Sequence, residues 1–423
     1  MNIEVTIDRP AAGGETIASY DGRIVFVTGG IPGERVVIEI ADPDAKLWRG
    51  EVVDVLEPSA HRIPQSCAAA SQGAGCCDWG FIEPQYAATL KADIVADCLR
   101  RLGHFNTDEL PSIDVLPLDP TTHWRTRVRL GVDSQGRAGL RRARSRELVV
   151  GATCAQTVPG LTDGFATPGT LPVTTSGKGS GRQPRNRGEL HVAMDMEGNR
   201  NAVYVVGAGR HRREAVIEGK PTTRHTVHGV TFDVPTTGFW QAHRAAPEFY
   251  GDRIITLLAG KKVSCAWDLY GGAGVLAAAL RKIVEADGSI VSVESYRAAA
   301  SAEREAFAEA DHGQGADSDA APVRFITGDV TKVVRREVAN EKTPNPEVVV
   351  LDPPRVGAGK EAIAAIAAAK PASVIHIGCD PATFARDARY WAEQGYQLRH
   401  IEVVDAFGLT HHVETIALLE PGN

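Results

Sequence analysis

The chain of 423 residues is poor in several things. It has three methionines, and aromatic residues make up only 6% of it. It has no excess of positive charge: 46 basic against 53 acidic residues leave a formal net charge of −7, which by itself argues against a nucleic-acid partner. No apolar run approaches the ~20 residues needed to cross a membrane. The opening Met1-Asn-Ile-Glu-Val lacks the features of a signal peptide. Seven cysteines, an odd number unevenly spread, do not form a disulfide framework. The chain is therefore expected in the cytoplasm with reduced thiols, as a monomer with no membrane partner.

What is present reads as an ordinary globular composition, 43% hydrophobic and 23% charged, long enough for two or three domains. The charges are segregated. Eight arginines and one acid, Asp133, lie between Trp124 and Arg146, a second basic stretch runs from Lys178 to Arg224, and acids concentrate between Glu303 and Asp319. Such asymmetry suits one polyanion-facing surface. In residues 1–58, short runs such as Ile3-Glu-Val-Thr-Ile, Arg23-Ile-Val-Phe-Val and Val36-Val-Ile-Glu-Ile are separated by Gly13-Gly14, Asp21-Gly22, Gly29-Gly30 and Pro32-Gly33. They predict a small β-barrel. Gly22 to Val27 and Ile31 to Val36 resemble a TRAM domain, an OB-like RNA-binding module.

Residues 59–235 read as a small α+β middle domain. Cys67, Cys76, Cys77 and Cys154 could hold an iron–sulfur cluster, or the loop is a structural remnant. Zinc would favour a Cys-x-x-Cys pair, which is absent. Tyr86, Leu90, Ile94, Cys98 and Leu102 recur at helical spacing, and Gly103 ends that helix. Trp124 to Val150 alternates apolar and basic residues, so one face could enter a core while arginines face phosphate. The Gly/Ser/Arg-rich run Thr174 to Gly188 reads as a loop able to reach an RNA backbone.

Residues 236–423 alternate strands and helices, the pattern of a doubly wound, Rossmann-like α/β domain. Val263 begins the first strand, Gly271 to Gly274 form a loop, and Val275 to Val284 form a helix. Asp268 could receive the amine of a cofactor. Ser289 to Val293 ends in Glu294, an acid placed to bind ribose hydroxyls. Val323 to Gly328 ends in Asp329, and Glu347 to Leu351 in Asp352-Pro-Pro-Arg355. Ser373 to Gly378 is a buried strand that delivers Cys379 to its carboxyl end, where Asp380-Pro381 turns the chain. In such sheets ligands bind outside those ends, so Cys379 is a candidate nucleophile.

Asp268-Leu-Tyr-Gly-Gly-Ala-Gly, Leu351-Asp-Pro-Pro-Arg, Gly378-Cys-Asp-Pro-Ala-Thr-Phe-Ala-Arg-Asp and His412-Val-Glu414 occur in this order. Together they resemble the RNA 5-methyluridine methyltransferases, the TrmA/RlmD-like family, over nearly the whole chain. The resemblance implies an enzyme using S-adenosylmethionine (SAM) on tRNA or rRNA. It implies Cys379 as nucleophile and Glu414 as the base that takes the C5 proton. It implies SAM contacts by Gln241, Tyr270, Glu294, Asp352 and Asp329. It includes a four-cysteine set for a 4Fe–4S cluster, although Ala74 stands near where a Cys would fall. It also implies that the helix near 84–103 packs on the catalytic domain.

Three rival readings remain: an RNA-binding protein that keeps the fold without catalysis, an NAD(P) enzyme, and a methyltransferase acting on another base. The joint presence of Cys379 and Glu414 speaks against the first. Asp-Pro-Pro-Arg with a strand-end Cys speaks against the second.

Overall fold

A computed structural model of the chain describes residues 1–172, 188–312, 320–340 and 343–422. The Gly/Ser/Arg-rich run lies almost wholly outside the described residues. Among these residues the strands form a closed five-stranded barrel, a six-stranded sheet, a two-stranded hairpin and an eight-stranded sheet. No helix among them is long and apolar enough to cross a membrane.

The barrel runs from Asn2–Pro10 to Trp48–Glu57. Alternation sets its inside: Ile3, Val5 and Ile7 point inward from the first strand and meet Val25, Val27, Val36 and Ile38. The result is the OB-like unit expected for residues 1–58. The six-stranded antiparallel sheet, from Arg127–Val132 to Arg213–Glu218, has its own core around Leu130, Leu161, Leu190 and Tyr204.

The eight-stranded sheet has the order Val323–Thr327, Val284–Glu294, Val263–Leu269, Val348–Leu351, Ser373–Gly378, Glu414–Pro421, Tyr396–Asp405, Ile113–Pro117. All neighbours pair in parallel except Glu414–Pro421, which is antiparallel to both of its neighbours. The strands are near-continuous apolar runs because both faces are covered. Val349 and Leu351 enter one core with Trp391 and Leu90, while Val348 and Val350 enter the other with Ile254 and Phe307. Strand order reverses between Val263–Leu269 and Val348–Leu351, which places a crevice at their carboxyl ends.

The helix Pro84–Arg101 lies in the C-terminal core through Leu90, Ile94 and Leu99, the placement the family resemblance implies. Two other segments of 59–235 also join that half of the chain. The strand Ile113–Pro117 is the edge of the C-terminal sheet. The hairpin of Thr222–Val227 and Val230–Pro235 packs there too, with Phe232 against Phe307 at 6.3 Å. The helix expected over Val275 to Val284 ends at Leu280, and Val284 already pairs with Val263 in the sheet.

Candidate active site

The candidate nucleophile and base meet through strand register. Gly378 pairs with Thr415 across an antiparallel ladder, so Cys379 and Glu414, each one residue further toward the crevice, are neighbours. Asp380 accepts from the Ala382 and Thr383 amides at 3.1 and 2.9 Å and caps the helix Pro381–Glu393, which fixes the turn after Cys379. Glu414 is 5% exposed, and its Oε2 has no hydrogen-bond partner. Burial, reinforced by Asp352, pushes its carboxyl well above the usual range, while Arg355 opposes the shift. The half-buried Cys379 thiol is pushed up to about 12 by burial, then by Glu414 and Asp352, and Arg355 again opposes. Asp352 is partly open to the crevice, yet the walls around it push its carboxyl up to about 7.

Asp268 is fully buried at the switch point, and neither of its carboxyl oxygens has a hydrogen-bond partner. Burial, with Asp352 and Glu294 nearby, pushes it up to about 7. Tyr270 has φ 64°, a strained value for a side chain of its size, and opens the loop to Gly274. At Gly271 a Cβ would lie 2.5 Å from Ser292 Oγ, so only glycine fits this approach. Glu294 accepts from the Gly272 amide at 3.0 Å and from the Tyr296 amide, which holds its carboxylate at the loop. Gln241 is half-buried, in the segment before the helix Ala246–Leu257. Asp329 is exposed and caps the helix Val330–Ala339, accepting from the Lys332 amide at 3.0 Å. One of its oxygens therefore has a structural task.

Three groups at the site had no mark in the sequence reading. Tyr250, on the helix Ala246–Leu257, is buried with an unpartnered hydroxyl; burial, then Glu414, Asp352 and Cys379, pushes its pKa well above the ordinary tyrosine value. Glu303, counted in the sequence only as one of the clustered acids, is 1% exposed and accepts from Ser292 Oγ at 2.5 Å. Its position beside Ala300, Ala306 and Phe307 on one helix face was the available signal. Lys91 is fully buried, and its ammonium donates to Asp405 and, at 3.2 Å, to the Phe407 carbonyl.

Lys91 is one of several grips on residues 405–413, which lead into Glu414. The Trp79 amide donates to the Leu409 carbonyl at 3.1 Å, Asp78 pairs with His411, and His412 accepts from Arg355 at 3.3 Å. Asp78 and Trp79 directly follow Cys76-Cys77. The four expected cysteines do come together, and Leu409 packs into their apolar surroundings. Gly14 of the barrel reaches the same place: a Cβ there would lie 2.8 Å from His411 and 2.9 Å from Asp78.

The arginine-rich stretch is less free than its sequence suggests. Arg125 lies over the Trp124 ring at 4.6 Å, and Arg127 donates to the carbonyls of Pro235, Thr236 and Gly238 at 2.9 to 3.1 Å. Arg129 and Arg141 share Glu189, Arg137 pairs with Asp133, Arg142 with Glu147 and Arg144 with Glu15. Among the described residues, Arg146 alone of the eight neither pairs with an acid nor packs in this way.

The doubly wound sheet with acids and a thiol at its carboxyl edge, joined to an N-terminal barrel, defines a methyltransferase-type α/β architecture. No family model matches the chain. Over 98% of its length it is 42% identical to an uncharacterized RNA methyltransferase of Corynebacterium glutamicum, covering 96% of that protein. It is 33% identical over 99% of its length to one of Streptomyces coelicolor, covering 92% of it. The chain belongs to this RNA methyltransferase family. A solved structure of Pyrococcus abyssi tRNA (uracil-54, C5)-methyltransferase in complex with S-adenosyl-L-homocysteine superposes with a TM-score of 0.70. That match covers 99% of this chain and all of the other at 16% identity, and so concerns the fold.

Proposed function

We propose that this protein transfers the methyl group of SAM to C5 of a uridine in tRNA or rRNA, in the cytoplasm. The observation that carries the proposal is the register that sets a half-buried thiol, Cys379, beside a buried, unpartnered carboxyl, Glu414. C5 of uracil is unreactive until a nucleophile adds at C6. The Cys379 thiolate forms the bond to C6, and the ring electrons move to C5 and O4. SAM supplies a methyl group on a sulfonium cation as the electrophile that C5 attacks. Glu414 then takes the C5 proton, the ring double bond reforms, and Cys379 leaves. Gln241, Tyr270, Glu294, Asp352 and Asp329 are assigned to SAM. Residues 1–58 are assigned to RNA as a TRAM-like domain, with 59–235 as the middle domain and 236–423 as the catalytic one. The uridine must leave its stack to reach Cys379. Digestion of RNA methylated in vitro, followed by mass spectrometry of its nucleosides, should yield 5-methyluridine. A product methylated on nitrogen or ribose oxygen overturns the proposal.

The electrostatics add a prediction. A thiol held near 12 is mostly protonated at neutral pH, so the rate of adduct formation should climb as pH rises from 7 to 9. Arg355 lowers both the thiol and Glu414. Arg355→Ala should slow single-turnover adduct formation about tenfold at pH 8, the equivalent of ~1.4 kcal/mol, with partial recovery at higher pH. Arg355→Lys should restore much of the rate. A rate independent of both pH and Arg355 would contradict this role.

A further inference from the structure

The sulfurs of Cys67, Cys76, Cys77 and Cys154 all lie within 4.8 Å of one another, and the pairs Cys67–Cys76 and Cys77–Cys154 are both at 3.7 Å. These distances choose between metal groups. A tetrahedral ion with metal–sulfur bonds of about 2.3 Å sets its sulfurs about 3.8 Å apart along each edge. A 4Fe–4S cube places a different iron against each thiolate and spreads the sulfurs to roughly 6 Å. The four cysteines fit the first and not the second. They are also too far apart for disulfides, whose sulfurs sit about 2.05 Å from each other.

The surroundings point to an anionic centre. Arg125 has no carboxylate partner among the described residues, and its charge bears on Cys154, Cys77 and Cys76. Its Nε donates to Gln156 Oε1 at 3.0 Å, and Gln156 in turn donates to the Cys76 carbonyl. A half-buried cation without a carboxylate partner calls for negative charge nearby, which four thiolates around one divalent ion supply. The Ala155 amide donates to Cys67 Sγ at 3.4 Å, as outer amides do toward metal-bound thiolates. Cys67, Cys77 and Cys154 are buried and Cys76 half-buried, so the set is closed, with four ligands and no side open for substrate. Adjacency of Cys76 and Cys77 is no obstacle, because neither takes a positive φ.

We propose that Cys67, Cys76, Cys77 and Cys154 form a closed structural site for a single tetrahedral divalent ion, zinc by its ligand chemistry, in place of the 4Fe–4S cluster that the family resemblance implies. The ion knots residues 67–77 to residue 154. Asp78 and Trp79, the next two residues, then carry that rigidity to the loop that precedes Glu414.

The test is metal analysis of the full chain, purified without oxygen from cells supplied with both iron and zinc. About one zinc per chain with no acid-labile sulfide is expected. Refolding or exchange with cobalt(II) should give the visible d–d bands and near-ultraviolet charge transfer of a tetrahedral thiolate site. Cys76→Ser and Cys154→Ser should each lower retained metal at least ~10-fold, the smaller end of what losing even an outer-shell partner of a metal ligand does. Cys98→Ser and Cys265→Ser, outside the set, should leave it unchanged. Should the tetrad variants fail to fold, the wild-type metal and sulfide content and the cobalt spectrum still decide. Iron and labile sulfide in cubane proportion would overturn the proposal. So would metal-free wild-type protein with all its thiols open to titration or joined as disulfides.

Discussion

Glu414→Gln is expected to methylate its RNA once and then stall with the RNA still joined to Cys379. The variant keeps the nucleophile and removes the only proposed acceptor for the C5 proton, so the adduct forms but cannot collapse. Glutamine preserves the shape of the side chain and brings no charge into its buried position, so the fold should be kept. Multiple-turnover rate should fall roughly 10²- to 10⁴-fold, the range general acid–base groups supply. Cys379→Ala is expected to bind RNA yet form no adduct and transfer no methyl. On a denaturing gel with labelled RNA, Glu414→Gln should give a retarded protein–RNA band and Cys379→Ala none. Normal turnover by Glu414→Gln would hand the base role to another group, with His411 and His412 next to test.

The second large effect is expected at Lys91. Its ammonium and the Asp405 carboxylate are both buried, at 0% and 3% exposure. Removing one member of such a pair leaves the other charge without a partner, which costs on the order of 3–5 kcal/mol. Lys91→Met should therefore lower the urea midpoint of the domain that holds the eight-stranded sheet. It should also loosen the loop ahead of Glu414, so that the RNA adduct persists longer than in the wild type. Lys91→Met combined with Asp405→Leu should recover most of the stability, since no charge is then stranded. A change below about 1 kcal/mol for Lys91→Met alone would show that the pair is not a stability anchor.

The strand ends were legible because buried parallel strands are apolar runs with abrupt polar stops. Val348 to Leu351 before Asp352, and Ser373 to Gly378 before Cys379, show where chemistry can sit without any knowledge of pairing. Glu414 was visible only through its motif; its burial follows from pairing with a strand some 40 residues earlier, which no local pattern reports. The same holds for Ile113–Pro117, whose partner begins at Ile401. The helix Pro84–Arg101 was legible as a helix, but Lys91 on its buried face has meaning only once Asp405 arrives from the other end of the chain. The pairing of the arginine run was hidden for a related reason. Glu189 and Glu15, which pair with Arg129, Arg141 and Arg144, are distant in sequence, so a stretch that reads as free positive charge is largely compensated. The cysteines were found by type, but their spacing gave no hint of the 3.7 Å sulfur pairs that decide what they hold.

The central claim is that Cys379 and Glu414 act on C5 of uracil, and tritium release tests it most directly. RNA carrying tritium at C5 of its uridines would be incubated with SAM and the protein. Tritium appearing in water would be compared with methyl groups entering the RNA. The account predicts release in step with methylation for the wild type, and neither for Cys379→Ala. Methyl transfer with all tritium retained, or undiminished transfer by Cys379→Ala, would contradict it.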